Sequence, residues 1–373
     1  MRFALDEEQV ALQRAARRLL ERWSPSAAAR DAMETERGYD DALWQRLAAD
    51  LGVSALLVPE ALGGLGLGPT ALAPVMEEMG RALACAPLLS TVALGTNALL
   101  LGASAEQQAR WLPGLASGER TATVAFDPLG DARRSEVRAV RDGGSWRLDG
   151  VVTQVLDGHT ASLVVVAAEV AAEDALALFL VPGDAPGLAR TALPTMDRTR
   201  RLARLELHGV SVPPADRLDG PLPGAAALRA VLDRARVALA SEQVGLAERC
   251  LDMSVEHART RVQFGRPIGS FQAIKHRCAD MLVDVESARA ASWYAAWAAE
   301  HAPDELATAA AMAKAWCSEA CFRAAAECIQ IHGGIGFTWE HDAHLAFKRA
   351  RASLALFGAP ANHRETIAHE LGL

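Results

Sequence analysis

Lysine is almost missing from this 373-residue chain: only Lys275, Lys314 and Lys348 occur, and the other basic residues are arginines. We read that bias as a GC-rich genome rather than as physics. The 38 basic residues are outnumbered by 46 acidic ones, giving a net charge of -8, and no segment is basic. That argues against nucleic acid or an anionic membrane as partner. Long apolar runs are missing too. The longest, residues 84–101, is broken by Pro87, Ser90, Thr91, Thr96 and Asn97, whereas a spanning helix needs about 20 clean residues. The first eight residues are too acidic for a signal or transit peptide, so the expected location is the cytoplasm. No Cys-x-x-Cys pair is present. Cys317, Cys321 and Cys328 repeat at helical spacing, which predicts buried thiols rather than disulfides or metal ligands. Aromatics make up 5%, yet hydrophobic residues reach 51% against 23% charged, which excludes disorder over most of the length.

The chain is too long for one comfortable core, and its texture changes twice. Residues 1–120 read as helical. Asp6 is a candidate N-cap, a helix through Trp44, Leu47 and Leu51 stops at Gly52, and further helices are expected over 69–83 and from Glu106 to Leu115. Residues 121–222 carry seven short β-rich runs, at 121–126, 137–141, 145–148, 151–155, 163–167, 176–181 and 204–207. With no helices between them they predict an antiparallel sandwich or barrel rather than a doubly wound sheet. Residues 223–373 return to long helices, near 225–258, 270–300, 304–330 and 341–356, which predicts an antiparallel bundle. The fold class is therefore α+β and mostly α.

Two segments could carry chemistry. In the first, a helix ends near Thr260, Gly265 and Pro267 turn the chain, and a new helix starts near Ser270. Arg261 and the open amides of that helix could grip a pyrophosphate, and Phe264 could lie on a flat ring. A solvated arginine on a plain helix hairpin fits the spacing as well. In the second, Gln330-Ile331-His332-Gly333-Gly334-Ile335-Gly336 puts three glycines after a helix. The backbone there could approach a ligand closely, or the glycines could simply stop the helix. No strand precedes them, so this is not a Rossmann fingerprint. His276 and His332 are expected to make structural hydrogen bonds. His341-Asp342-Ala343-His344 lacks a third convergent metal ligand, and a capped helix start near Trp339-Glu340-His341 is the expectation.

Together the two segments, with the Val-Pro-Glu and Gly-Gly-Leu-Gly turn inside residues 44–89, resemble the acyl-CoA dehydrogenases over nearly the whole chain. The resemblance implies an N-terminal helical domain, a middle β-domain, a C-terminal four-helix bundle, and FAD as cofactor. It implies that Arg261, Phe264, Gln272, Gln330, Gly333 and Gly334 contact the adenosine-diphosphate side of a FAD bound to the neighbouring subunit. It aligns Asp233 and Arg236 with residues that touch the CoA part of an acyl-CoA substrate, although an i,i+3 ion pair accounts for them equally.

The departures from the family are equally specific. The Thr-Glu-Pro-x-x-Gly-Ser-Asp segment that lines the flavin is shortened to Phe126-Asp127-Pro128-Leu129-Gly130-Asp131. Gln154 replaces the Trp that covers the isoalloxazine, and Leu156 replaces the Thr that bonds near N5. The reaction removes an α-proton while a β-hydride moves to the flavin, so it needs a placed carboxylate. The two family positions for that base hold Phe357 and Ala235, so no catalytic residue is assigned. Glu242 is expected on a solvated or pairing face. The expectation is a subunit of a heterotetrameric acyl-CoA dehydrogenase, like the base-lacking partner chains of actinobacterial sterol side-chain breakdown, beside a paralogous chain that carries the glutamate. A self-sufficient homo-oligomer with an unrecognised base, and a flavin-free scaffold, stay open as alternatives.

Overall fold

A computed structural model describes residues 5–127, 130, 132 and 134–372. Local chemistry sets the first helices. The Asp6 carboxylate accepts from the Gln9 amide at 2.8 Å and the Gln9 side chain accepts from the Asp6 amide at 3.1 Å, a reciprocal box that starts α1 (Glu7–Trp23). α2 (Ser26–Glu34) follows. α3 (Asp41–Leu51) ends at Gly52, whose φ of 63° is the left-handed stop expected from the sequence. Then come α4 (Pro69–Arg81), a π-helical stretch Leu89–Thr96 that runs into α5 (Asn97–Gly102), and α6 (Ala105–Ala116). α2 and the 89–102 stretch were not expected. Every residue from Leu89 to Thr96 is buried, so no polar face was left to mark a helix.

Seven strands make one sheet: β1 (Ala122–Ala125), β2 (Arg138–Asp142), β3 (Ser145–Leu156), β4 (Leu163–Val170), β5 (Ala175–Pro182), β6 (Leu188–Ala192) and β7 (Leu202–Val212). The two expected runs at 145–148 and 151–155 are a single strand. Gly150, at φ 146°, carries the chain through a register shift, and a Cβ there would sit 2.4 Å from the Glu136 carbonyl. β6 went unread because it is an exposed edge strand with little apolar alternation. The pairing is mixed rather than wholly antiparallel, since β1 runs parallel to β4, with Ala122 opposite Leu163, and β2 meets β4 in parallel at Arg138. Trp146 and Phe179 pack edge to face, centroids 5.5 Å apart, within a β-branched and aliphatic core.

The C-terminal part holds α7 (Gly224–Thr260), the short strands β8 (Val262–Gln263) and β9 (Arg266–Pro267), α8 (Gln272–His301), α9 (Leu306–His332), α10 (Ala343–Ala355) and α11 (Pro360–Glu370). The first four long helices match the expected bundle; α11 was not foreseen. The architecture of helical N-terminal part, β-sheet and helical C-terminal part is the one expected.

By compactness the chain divides into two units, neither continuous in sequence. One comprises Met1–Asp31, Ala73–Ala84 and Arg236–Leu373; the other comprises Ala32–Leu72 and Cys85–Ala235. In the first unit α4 crosses α7 at two glycines. A Cβ on Gly80 would lie 1.9 Å from the Glu242 carbonyl, and one on Gly245 would lie 1.7 Å from the Glu77 carbonyl, so the backbones touch where side chains cannot fit. Charges surround this crossing: Arg289 and Trp293 reach Glu77 at 2.6 and 2.7 Å, Arg17 reaches Glu78 at 2.8 Å, and Arg81 reaches Glu248 at 3.1 Å. Among the described residues no helix is long and apolar enough to cross a membrane, and no cluster could hold a metal ion.

Candidate functional site

α7 closes with the Arg261 amide donating to the His257 carbonyl at 2.8 Å. The chain then turns back as a tight hairpin, with Val262 opposite Pro267 and Gln263 opposite Arg266. Its two tip residues, Phe264 and Gly265, both have positive φ, 52° and 76°, as a two-residue hairpin turn demands. Phe264 stands 91% exposed. α8 begins at exposed Gln272 after Phe271, and no side chain caps its first amides. The guanidinium of Arg266 covers the Phe271 ring at 4.1 Å. This is the helix-end, turn and helix-start read from the sequence.

The second segment closes α9. Gly333, at φ 66°, breaks the helix and a 3-10 turn runs from Gly333 to Phe337. The three glycines differ in what they are for. A Cβ on Gly336 would press on His332 Cβ at 2.9 Å and the Ile329 carbonyl at 3.2 Å, so packing accounts for it. The left-handed backbone accounts for Gly333. Neither reason applies to Gly334: its φ is not positive and a Cβ there would meet nothing within 4 Å. Gln330 is exposed beside it.

The structure brings the two segments together through three imidazoles. His257, one turn before Arg261, stacks on His332 with centroids 4.3 Å apart, and His341 meets His332 at a tilt, also at 4.3 Å. The Nδ1 of His332 lies 2.7 Å from the Cys328 carbonyl, as donor, which fixes its tautomer. The Nδ1 of His341 accepts from the Ala343 amide at 3.1 Å and so caps α10. The structural roles expected for His332 and for the 339–341 start therefore hold. His276, by contrast, is exposed on α8. Burial lowers the pKa of His257 and His341, and the neighbouring His332 adds to both shifts. Arg30 of α2 ties down the same loop, donating to the Trp339 carbonyl at 2.6 Å and Asp342 at 2.7 Å. These groups, with Arg249, surround a polar cavity of about 420 Å³. The stack had no signal in the sequence, because its members come from three separate elements.

The two positions that the resemblance aligns with the base carry a phenyl ring and a methyl group. Phe357 is 1% exposed, at φ 62°, and its carbonyl accepts from Arg236 Nε at 3.1 Å. Ala235 is fully buried and Asp233 is buried on the same helix. Glu242 is bound to Arg349 at 2.7 Å, both side chains about 5% exposed or less, which is the pairing face expected. Beneath the Phe357 turn, buried Lys314 donates to the Ser353, Leu354 and Gly358 carbonyls at 3.1, 3.2 and 3.2 Å and to Ser318 Oγ at 2.9 Å. Sequence reading did not single out this lysine. On the sheet, Gln154 is exposed with φ 60°, and Leu156 is buried, its carbonyl taking the Thr123 hydroxyl at 2.6 Å. Pro128, Leu129 and Asp131 of the shortened flavin-lining segment lie outside the described residues. Among the described residues, Gln154 and Leu156 at the two aligned positions present an amide and an aliphatic side chain.

Two family models match the chain: the acyl-CoA dehydrogenase N-terminal domain over residues 6–119 and the acyl-CoA dehydrogenase C-terminal domain over 223–372. The acyl-CoA dehydrogenase IpdE2 of Mycobacterium tuberculosis is 40% identical over 357 residues, 95% of this chain and 94% of that protein. The acyl-CoA dehydrogenase FadE27 of the same organism is 36% identical, covering 92% and 91%. Among solved structures, a chain of the ChsE4-ChsE5 complex from Mycobacterium tuberculosis superposes with a TM-score of 0.91 at 33% identity, over 100% of this chain and 99% of that one. A chain of the Tcur3481-Tcur3483 steroid ACAD does so at 0.89 and 34%, over 98% of each.

Proposed function

We propose that this chain, which belongs to the acyl-CoA dehydrogenase family of FAD-dependent oxidoreductases, works as the non-catalytic subunit of a heteromeric enzyme. In this reading Arg261, Phe264, Gln272, Gln330, Gly333 and Gly334 hold the adenosine-diphosphate side of a FAD whose ring lies in a paralogous partner chain. That partner supplies the glutamate that removes the α-proton of an acyl-CoA. When bound, FAD supplies the hydride acceptor. Gly334 carries the reading. It is a glycine that neither packing nor backbone conformation requires, on an exposed turn beside Gln330, as a backbone approached closely by a ligand would need. Phe357 and Ala235 at the base positions account for the need for a partner. The likeness to chains of two paralogue complexes, one described as a steroid ACAD, favours the same kind of assembly and an acyl-CoA bearing a steroid side chain.

The test is FAD titration of the heteromer carrying Arg261→Ala. A charge-assisted bond to pyrophosphate contributes about 1.5–3 kcal/mol, so FAD should weaken by roughly 10- to 150-fold. The flavin that binds keeps its spectrum, and saturating FAD restores most of the turnover. An unchanged dissociation constant would refute donation in trans. The chain alone should bind FAD weakly and be nearly colourless; tight stoichiometric FAD with turnover would favour the self-sufficient homo-oligomer instead.

A further inference from the structure

Two adjoining cavities of the first compact unit have no part in the proposed cofactor role. One is the polar cavity of about 420 Å³ beside the imidazoles. The other holds about 320 Å³ and has an apolar side made by Leu20, Ala82, Leu83 and Leu345. Four residues, Ser26, Arg249, Met253 and Asp342, belong to both walls. Each volume is that of an ordinary small-molecule pocket, roughly 300–1,000 Å³. None of Arg261, Phe264, Gln272, Gln330, Gly333 and Gly334 lines either one. The guanidinium groups on the walls are paired, with one exception. Asp342 takes Arg30 at 2.7 Å and the Ser26 hydroxyl at 2.6 Å, Glu78 takes Arg17 at 2.8 Å, and Arg81 bonds Glu248 at 3.1 Å and Asp252 at 2.5 Å. Arg249, half-buried on the shared wall, has no hydrogen bond or ion pair among the described residues. Asp342 feels its charge but is already occupied. The remaining carboxylates of the walls, Glu21, Glu256 and Glu340, are exposed.

We propose that the two cavities form one binding site for a small organic acid, a monocarboxylate carrying an apolar chain. Arg249 grips the carboxylate, and the chain lies along Leu20, Ala82, Leu83 and Leu345. A guanidinium presents its donors as a planar fork that fits a carboxylate through two parallel bonds. Partial withdrawal from water makes such a pair stronger than it would be on the open surface. His341 adds a donor on the polar wall: its Nδ1 accepts from the Ala343 amide at 3.1 Å, so the neutral ring carries its proton on Nε2. The balance of charge selects a monoanion. One unpaired cation matches one negative charge, and the exposed Glu21, Glu256 and Glu340 repel a phosphate dianion. The apolar side selects for a chain, since each methylene buried there tightens binding about 4-fold.

Titration calorimetry on the full chain tests this with butyrate, octanoate, octan-1-ol and inorganic phosphate. We expect saturable octanoate binding at millimolar concentration or below, weaker binding of butyrate, and no saturable binding of octan-1-ol or phosphate. Arg249→Gln, which removes the charge, should weaken octanoate by roughly 10-fold or more. Ala82→Phe fills the apolar cavity and should abolish octanoate binding while butyrate stays within about 2-fold of the parent. Arg261→Ala should leave octanoate within about 2-fold as well, so this site stands or falls apart from the cofactor reading. Octanoate that binds the parent, Arg249→Gln and Ala82→Phe equally lies elsewhere and would overturn the proposal. So would octan-1-ol binding as tightly as octanoate, phosphate displacing octanoate, or no saturable octanoate binding at all.

Discussion

Removing the ammonium of Lys314 tests how the turn at Phe357 is held. Lys314 is fully buried, and its Nζ serves Ser318 Oγ, the Ser353 and Leu354 carbonyls at the C-terminus of α10, and the Gly358 carbonyl. A helix leaves its last carbonyls without intrahelical donors, and a cation there also meets the negative end of the helix dipole. Lys314→Met keeps the stem and removes the donors. Ser318 keeps Gln243, at 3.1 Å, and Gly358 keeps His363, at 3.1 Å. The loss falls on the two α10 carbonyls. At about 1–3 kcal/mol for each buried acceptor left short of a donor, and with the ammonium's desolvation cost removed in the variant, the net destabilisation should be about 3 kcal/mol. At about 1.3 °C per kcal/mol for a protein this size, the melting temperature should fall by ~4 °C. Calorimetry gives the total, and hydrogen exchange should locate the weakening at the Gly358 amide, which bonds the Ala355 carbonyl at 3.2 Å. A melting temperature within about 1 °C of the parent would show that desolvation cancels the hydrogen bonds and that the lysine does not hold the turn.

Other perturbations have equally definite outcomes. Burial, then the charges of Arg236 and Lys314, lowers His363 to about 3. Its folded pKa lies below the unfolded value, so its contribution is complete above about pH 6.5 and is lost as pH falls toward 3, by up to ~1.4 kcal/mol per unit; His363→Gln should flatten the melting temperature between pH 6.5 and 4. Glu242→Ala removes the carboxylate that buried Arg349 bonds at 2.7 Å and should cost about 3–5 kcal/mol in denaturant unfolding; less than ~1 kcal/mol would mean that water reaches the pair. Phe357→Glu should not by itself give acyl-CoA turnover, because Gln154 and Leu156 leave the flavin ring unsupported; robust turnover from that single change would show a sound ring site.

What could be read beforehand follows from how local each cause is. The Asp6 cap, the Gly52 stop and the turn at Gly265 involve neighbours in sequence, and all three were legible; the Gln9 half of the box and the short hairpin strands were not read. The break between the runs at 145–148 and 151–155 was misplaced, because pairing to β7 carries one strand, β3, through Asp149 and Gly150. Leu89 to Thr96 was illegible for the opposite reason, being buried on every side. At the candidate site the residue types at Arg261–Ile274 and Gln330–Gly336 could be named in advance. Their juxtaposition by His257, His332 and His341, and the difference between Gly334 and Gly336, belong to tertiary packing.

The crossing of α4 and α7 at Gly80 and Gly245 dictates an order of events during synthesis. The Arg81–Glu248 bridge beside it joins residues 167 positions apart. At ~5–20 residues per second, α4 leaves the ribosome on the order of 10–30 s before its partner. All of the second compact unit, Ala32–Leu72 and Cys85–Ala235, is synthesised in that interval or earlier. The nascent chain must therefore leave the glycine notch of α4 without its α7 partner while the intervening sheet is made, with α1 already able to join α4 through Arg17 and Glu78. That notch accepts only a backbone. A nascent helix without a matching glycine cannot seat there, so the close fit guards the waiting segment against premature partners until α7 emerges.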